Sequence, residues 1–211
     1  MKKFLVLALI CVTVILAGCR TKTADPVTIT NTPTPPSTTT NMQLTPKSGD
    51  TVAVLHTTMG DVSILLYANE VPETVKNFTE LAKSGKYDNV IFHRVIPEFM
   101  IQTGDFQNGD GTGGYSYQGP GTYLNDEVKP GLEHIRGALS MAKTAQPNTA
   151  GSQFFIVQPE GGTHWLDGVH TVFGFVYEGM DVVDAIDGVA TNGNDLPLET
   201  ISITSVDVLS F

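Results

Sequence analysis

A single cation, Arg94, stands within a strongly apolar segment of the sequence that runs from residue 92 to residue 106. Phe92 precedes it, and Phe99 and Met100 follow it, so the guanidinium must lie close to apolar surface. Such a placement costs desolvation energy unless the charge has a partner or a task. A guanidinium stays charged at every physiological pH and presents a rigid fork of N–H donors. Arg94 is therefore suited to donating a hydrogen bond to an electron pair on a substrate. This role requires no nucleophile, general base or metal.

Two later blocks combine aromatic side chains with hydrogen-bonding groups. Residues 151–156 form an aromatic segment that contains Gln153, and residues 164–174 contain His170 and Trp165, the only Trp of the chain. On composition alone, most of the aromatic residues would be assigned to a core. The order and the content of the blocks carry more information than any one of them.

These residues also resemble two other kinds of site. His164, His170 and Asp167 could suggest a metal site, but their spacing is not that of a helical i, i+4 pair. The Gly-rich stretch 104–121 could suggest a phosphate cradle, but it lacks the Lys-Ser/Thr ending and no helical pattern begins behind it. We therefore predict no metal and no cofactor, and a flexible loop for the Gly-rich stretch.

Taken together, the three blocks resemble the cyclophilins, the cyclosporin-binding family of peptidyl-prolyl cis/trans isomerases, over residues 51–211. The resemblance implies that Arg94 and Gln102 are catalytic, with Gln102 orienting Arg94. It also implies a substrate-binding groove, whose residues are Phe99, Met100, Gly111, Ala142, Lys143, Gln153, Phe155, Trp165, Leu166 and His170. Trp165 matches the rim position that contacts cyclosporin, which makes cyclosporin an expected inhibitor.

The implied reaction needs no titrating group. Rotation about an X–Pro amide has a barrier of ~18–20 kcal/mol, because the nitrogen lone pair is delocalised into the carbonyl. The lone pair is localised on nitrogen in the twisted transition state, so a donor aimed at that nitrogen stabilises the twisted form selectively. The competing interpretation is a proline-binding or chaperone module that does not catalyse.

Lys143 is a departure from the family pattern. The common pattern has Asn after Met-Ala, whereas Lys143 follows Met141-Ala142 here, and we interpret the loop behind it as one residue longer. An additional cation at this position would favour acidic residues before the proline of a substrate.

Strand patterns dominate the rest of the domain. Eight segments have them: 52–57, 61–67, 90–96, 99–103, 137–142, 153–157, 172–176 and 200–208. One helix is predicted between Pro72 and Gly85 and a second over about 179–187. With the resemblance, this pattern predicts a mainly β fold: a closed eight-stranded antiparallel β-barrel, capped by two α-helices, with the site on its outer wall.

The first fifty residues predict where the domain is located. Residues 1–18 have a basic start and a short apolar core, and Leu16-Ala17-Gly18-Cys19 resembles a lipobox in which Cys19 is the lipid-attachment site. Residues 19–50 form a Thr/Pro-rich tether before the domain at 51–211. An uncleaved signal anchor and a plain secreted protein are the alternatives. Cys11 would leave with the signal, so no disulfide is expected.

The net charge of the domain limits the kinds of partner that it can bind. The chain carries −10, and residues 51–211 contain seven basic and twenty acidic residues. An acidic domain argues against nucleic acid and against docking on anionic lipid. We therefore expect an extracytoplasmic, membrane-tethered monomer that acts on proline-containing unfolded or flexible polypeptides.

The anchoring hypothesis predicts the fate of Cys19. In a lipoprotein-processing host the wild type should partition into detergent, whereas Cys19→Ser should carry no lipid. One acyl chain anchors a protein only marginally, so we expect more than one on the mature terminus. Mass spectrometry of the mature N-terminus checks this; an intact residue 1, or cleavage without lipid, would contradict it.

Overall fold

The β-rich pattern of the sequence produces nine strands in the computed structural model, which describes residues 42–211. In chain order they are β1 (Thr51–Thr57), β2 (Gly60–Leu66), β3 (Val90–Ile91), β4 (Arg94–Ile96), β5 (Met100–Thr103), β6 (Ala138–Met141), β7 (Phe154–Val157), β8 (Val172–Glu178) and β9 (Ser202–Ser210). Helix α1 spans Pro72–Lys83, helix α2 spans Met180–Asp187, and a 3₁₀ helix covers His164–Leu166. The prediction of a mainly β fold with two helices is confirmed.

The strands form one sheet in the order β3-β9-β1-β2-β8-β6-β7-β5-β4. This curled, half-barrel sheet of nine strands differs from the closed eight-stranded barrel that we expected, because the segment 90–96 is divided into β3 and β4. Phe92 and His93 leave the ladder with their side chains buried, and the Phe92 N–H donates instead to the Ile201 carbonyl at 2.9 Å. Consequently β3 pairs with β9 while β4 pairs with β5, and the two halves of one predicted strand lie at opposite ends of the hydrogen-bonded order.

Helix α1 packs against β9 and contributes an apolar face to the core. Pro72 opens it, where the missing N–H costs nothing. Its buried Phe78 meets the rings of Tyr87, Phe154 and Phe173 at centroid distances of 5.2, 5.4 and 5.6 Å. This aromatic cluster fixes the helix to β7 and β8, and β7 carries part of the site described below.

The end of the predicted tether contacts the folded domain. The Tyr67 hydroxyl donates to the Gln43 carbonyl at 2.8 Å, and Gly49 N–H donates to the carbonyl of Phe211 at 2.8 Å. The signal segment 1–18, Cys19 and the remainder of the tether up to residue 41 lie outside the described residues. Of the helices that the structure describes, none is long and apolar enough to cross a membrane.

The aromatic cluster generates a stability prediction. Phe78→Ala removes a fully buried ring, which typically lowers the free energy of unfolding by about 3–5 kcal/mol. Chemical denaturation followed by circular dichroism measures the loss. Lys83→Ala, at the exposed end of the same helix, is the control and should change stability by less than about 0.5 kcal/mol. A loss below that control level for Phe78→Ala would show that the cluster does not hold the helix.

Candidate active site

Strand register brings the predicted catalytic residues together. Arg94 on β4 lies directly opposite Gln102 on β5, and Gln102 lies directly opposite Phe155 on β7. Directly opposed residues of antiparallel strands share one face of the sheet. A cation, an amide and an aromatic ring therefore form a row across three adjacent strands.

This row lies in a cavity of about 300 Å³. Its lining consists of Arg94, Phe99, Met100, Gln102, Ala142, Lys143, Phe155, Leu166 and His170. All nine had been predicted as site residues. The base of the cavity is apolar and buried, with Met100 2% and Phe155 4% exposed. The side chain of Arg94, which lies beside this base, remains 44% exposed.

Trp165 lies at the rim rather than in the lining. The 3₁₀ helix places it 67% exposed, with its ring centroid 5.7 Å from that of Phe99. Because Phe99 lines the cavity, the indole extends the apolar surface outward from the cavity wall.

The other predicted groove residues, Gly111 and Gln153, line an adjoining pocket of about 200 Å³. The two pockets share Gln102, Ala142 and Lys143 as lining residues. Gln102 Nε2 donates to Gln153 Oε1 at 2.9 Å, and Gln153 Nε2 donates to the Gly111 carbonyl at 3.0 Å. This relay of amides joins the catalytic row to the Gly-rich loop.

A buried carboxylate shapes that loop. Asp105 is 2% exposed and accepts hydrogen bonds from the backbone N–H groups of Gln107, Asn108, Asp110, Gly111 and Gly113. Burial alone would raise the pKa of Asp105, but these donors outweigh it and hold the pKa below its ordinary value. The loop amides are thus occupied by a carboxylate of the same chain, which explains why the stretch is Gly-rich without being a phosphate cradle.

Gly111 is required by its neighbour. Its φ of +87° suits glycine, and a Cβ there would come within 3.2 Å of Cδ2 of the His93 ring. His93 is buried at 5% exposure, and neither of its ring nitrogens has a hydrogen-bond partner within the described residues. His93 was missed as a support of the site, although its position beside Arg94 in the sequence was a signal that could have identified it.

Two histidines support the aromatic side of the cavity. His170 Nδ1 donates to the Met141 carbonyl at 3.0 Å, and its ring meets the Phe155 ring edge-to-face at 5.9 Å. Buried His134 stacks on Phe155 at 5.9 Å, lies 6.4 Å from the His170 ring, and is held by Asp167 at 2.8 Å. The three rings form a compact cluster that restrains Phe155. Burial is the largest influence on the His170 pKa and lowers it, although the hydrogen bond to Met141 opposes the shift.

Lys143 is not an unpaired cation. Its side chain is only 5% exposed, and its Nζ lies 3.4 Å from Oδ2 of Asp126 and 3.4 Å from the Gln146 carbonyl. Asp126 neutralises the ammonium, so the attraction for acidic substrate residues that an unpaired Lys143 would exert is weakened. The partner could not be identified from the sequence, because nothing in the local pattern links residues 126 and 143.

The side chains near the 3₁₀ helix that could bind a metal are not the same three that the sequence suggested. Glu133, His164 and Asp167 bring ligand atoms within 4.8 Å of one another, and His170 is not part of this group. His164 Nδ1 already lies 2.8 Å from Asp167 Oδ2, and the other oxygen of Asp167 bonds His134. These contacts join His164, Asp167 and His134 in a hydrogen-bonded cluster, and the Glu133 carboxylate lies beside it.

Comparison with known proteins identifies the family. The family model described as cyclophilin type peptidyl-prolyl cis-trans isomerase/CLD matches residues 52–208. This chain belongs to the cyclophilins. It is 47% identical over 160 residues to peptidyl-prolyl cis-trans isomerase-like 1 of Aspergillus fumigatus, covering 75% of this chain and 96% of the relative.

Two further relatives are longer proteins. The chain is 52% identical over 156 residues to peptidyl-prolyl cis-trans isomerase CYP71 of Arabidopsis thaliana, covering 74% of this cyclophilin and 24% of that protein. It is 49% identical over 158 residues to peptidyl-prolyl cis-trans isomerase 9 of Schizosaccharomyces pombe, covering 74% of the chain and 25% of the relative. The cyclophilin therefore spans about a quarter of the length of these two relatives.

Solved structures agree with the fold. A crystal structure of a Cryptosporidium parvum cyclophilin type isomerase superposes with a TM-score of 0.72 at 34% identity, covering 77% of this chain and 99% of that one. A second structure of that protein, determined in the presence of the dipeptide Ala-Pro, gives a TM-score of 0.71 at 35% identity and covers 76% and 99% of the two chains.

The protonation state of the site predicts the pH profile. Burial keeps the pKa of His170 below its ordinary value, so the ring is neutral at and above neutral pH, and Arg94 stays charged throughout. Activity should be nearly flat from about pH 6.5 to 9 and should fall only at lower pH. Stability should change in the same direction: because the unfolded state takes up the His170 proton at a higher pH than the folded state, acidification favours unfolding.

Initial rates across this range, with circular dichroism melts at each pH, check this prediction. His170→Gln should remove part of the acid-side decline. A steep bell-shaped profile around neutrality would instead indicate acid–base chemistry.

Proposed function

We propose that this cyclophilin catalyses the cis/trans isomerisation of peptide bonds that precede proline. The observation that carries the proposal is the cavity of about 300 Å³ in which one guanidinium, that of Arg94, stands beside an apolar base formed by Met100 and Phe155. An apolar base of this kind accepts a proline ring, and the cation beside it is placed to donate to the nitrogen of that ring.

Energetics favour a donor over a covalent mechanism. The planar amide offers its nitrogen lone pair poorly, whereas the twisted transition state offers it fully, so donation from Arg94 stabilises the transition state more than the ground states. Each ~1.4 kcal/mol of such selective stabilisation accelerates the reaction tenfold. Donors that are already oriented in a partly dehydrated site stabilise charge without a reorganisation cost.

Substrate contacts in this proposal are divided between the two pockets. The proline occupies the cavity beside Phe155, and the residues before it cross Gln102 and Ala142 into the adjoining pocket. That pocket is lined mainly by small residues and backbone, including Gly111 and Thr112, which favours recognition of the main chain over a particular side chain. The substrates are accordingly proline-containing, unfolded or flexible polypeptides of varied sequence.

For location we propose an extracytoplasmic lipoprotein that assists the folding of exported or cell-surface proteins. This rests on the sequence features of residues 1–18, on Cys19 and on the Thr/Pro-rich tether. The acidic domain fits a monomer that contacts the membrane only through a lipid at Cys19.

Replacing Arg94 tests the catalytic role. Arg94→Ala should reduce kcat/KM by about 100- to 1000-fold, as the loss of one preorganised donor does in other enzymes. Arg94→Lys should restore little, because Lys lacks the planar fork. A protease-coupled assay on uncharged proline peptides measures this, with melting temperatures to show that the fold is retained.

Lys129→Ala is the charge-matched control for this test, since Lys129 is exposed and lines neither pocket. Near-full activity of Arg94→Ala would refute the mechanism. A wild type that binds proline peptides without isomerising them would instead favour the non-catalytic binding module.

Trp165 tests the rim and the expected inhibitor. Cyclosporin should quench or enhance Trp165 emission in a saturable manner and should block isomerisation over the same concentration range. The indole is exposed, and its N–H has no hydrogen-bond partner within residues 42–211, so it can donate to a ligand carbonyl. Trp165→Phe should weaken inhibition much more than it slows a small peptide. Saturating inhibition without any change in emission would show that the inhibitor binds elsewhere.

A further inference from the structure

Asp195 is a polar partner of Arg94 that does not line the cavity. Its Oδ2 lies 3.6 Å from Nε of Arg94, and each of the two side chains is 44% exposed. Within residues 42–211, this ion pair is the only polar contact of the Arg94 side chain. The amide nitrogen of Gln102, the residue opposite Arg94, is bonded to Gln153 instead.

The backbone of Asp195 is fixed independently of its carboxylate. Its carbonyl accepts the N–H of Val95 at 2.8 Å, and its own N–H donates to the Asn192 carbonyl at 3.1 Å. The side chain of Asn192 caps the same turn by accepting from the N–H groups of Asn194 at 2.8 Å and Leu196 at 3.2 Å. The carboxylate is therefore presented to β4 by a turn that the main chain holds in place.

The local conformation also explains which residue types fit there. Asp195 has a φ of +62°, in the left-handed region that Asp and Asn tolerate better than most other residues. Asn at this position would keep the conformation and the shape of the side chain while removing its charge. The chain thus offers a substitution that isolates the ion pair.

We propose that Asp195 is a positioning residue for the catalytic guanidinium. Contact through Nε restrains the long side chain and leaves both terminal nitrogens of Arg94 available to the substrate. Arg has a large rotamer entropy, and a reactant held in its productive geometry reacts faster than one that must find it. This inference rests on the proposed role of Arg94.

Asp195→Asn is the principal test, with an uncharged, terminally blocked proline peptide as substrate. Because half-exposed ion pairs couple weakly, kcat should fall about two- to five-fold. KM should stay the same, since positioning acts on the transition state and not on the apolar pocket. The melting temperature should change little. Glu199→Gln is the matched control. It removes an exposed negative charge from the segment between α2 and β9, which also contains Asp195, and it should leave kcat unchanged.

Salt dependence provides a readout that a purely structural role would not give. At about 1 M salt the Debye length is ~3 Å, so the pair is screened and the wild-type kcat should fall toward that of Asp195→Asn. The variant itself should respond little to salt. Equal salt dependence of the two proteins overturns the proposal.

A double substitution separates positioning from damage to the turn. In the Arg94→Lys background, which lacks Nε, Asp195→Asn should have a clearly smaller effect on kcat than in the wild type. An equal effect in both backgrounds would show a general effect of the loop, and a kcat that rises in Asp195→Asn would show that the carboxylate competes with the substrate.

The two proposals fail separately. If Arg94→Ala is inactive while Asp195→Asn retains the full kcat, the positioning role is refuted and the proposed function stands. If Arg94→Ala retains activity, the role of Arg94 and that of Asp195 are refuted together.

Discussion

The register between β4, β5 and β7 is the constraint on which the site depends. It aligns Arg94, Gln102 and Phe155 in one row, and a shift by a single residue would turn each of these side chains to the opposite face. The register is held from below, because Val95, Ile101 and Ile156 alternate with the row and are almost completely buried. Packing of the core thus determines the position of Arg94 on the outer face of the sheet. The apolar interior and the row of site residues both result from the alternation of side chains along the strands.

Charges near the cavity are paired with carboxylates from distant parts of the chain. Arg94 meets Asp195, and Lys143 meets Asp126. The two pairs differ in burial and therefore in consequence. The side chains of Lys143 and Asp126 are only 5% and 18% exposed, so their pair is largely shielded from solvent, and Lys143 forms part of the wall. Arg94 is half exposed, so its pair is weak and screened, which leaves the guanidinium able to interact with a substrate.

The fold and most of the site were predictable because their signals are local. Alternating apolar residues indicate strands, and Pro72 and Gly85 mark the ends of α1. Neither signal depends on contacts with distant parts of the chain. All nine residues that line the main cavity are predicted site residues, since the family motifs specify those positions directly, whereas the predicted Gly111, Gln153 and Trp165 lie beside it. The prediction failed at residues 90–96, where a run of strand-forming residues on both sides of His93 and Arg94 indicated one strand. The run is interrupted because Phe92 and His93 are buried, and burial against Ile201 and Gly111 depends on segments far away in the sequence.

By itself, the sequence determined the family, the strand-rich architecture and the identity of the cavity residues, because each follows from short motifs and from periodicity. Only the tertiary structure decided that the Gly-rich loop wraps the Asp105 carboxylate and that Asp195 contacts Arg94. The ion pair joins residues whose separation along the chain carries no pattern, and the backbone N–H groups of the loop converge on Asp105 only once the loop is folded. The distances, 2.9 Å from the Gly111 nitrogen to Asp105 and 3.6 Å from Arg94 to Asp195, are set by the packing of the whole domain.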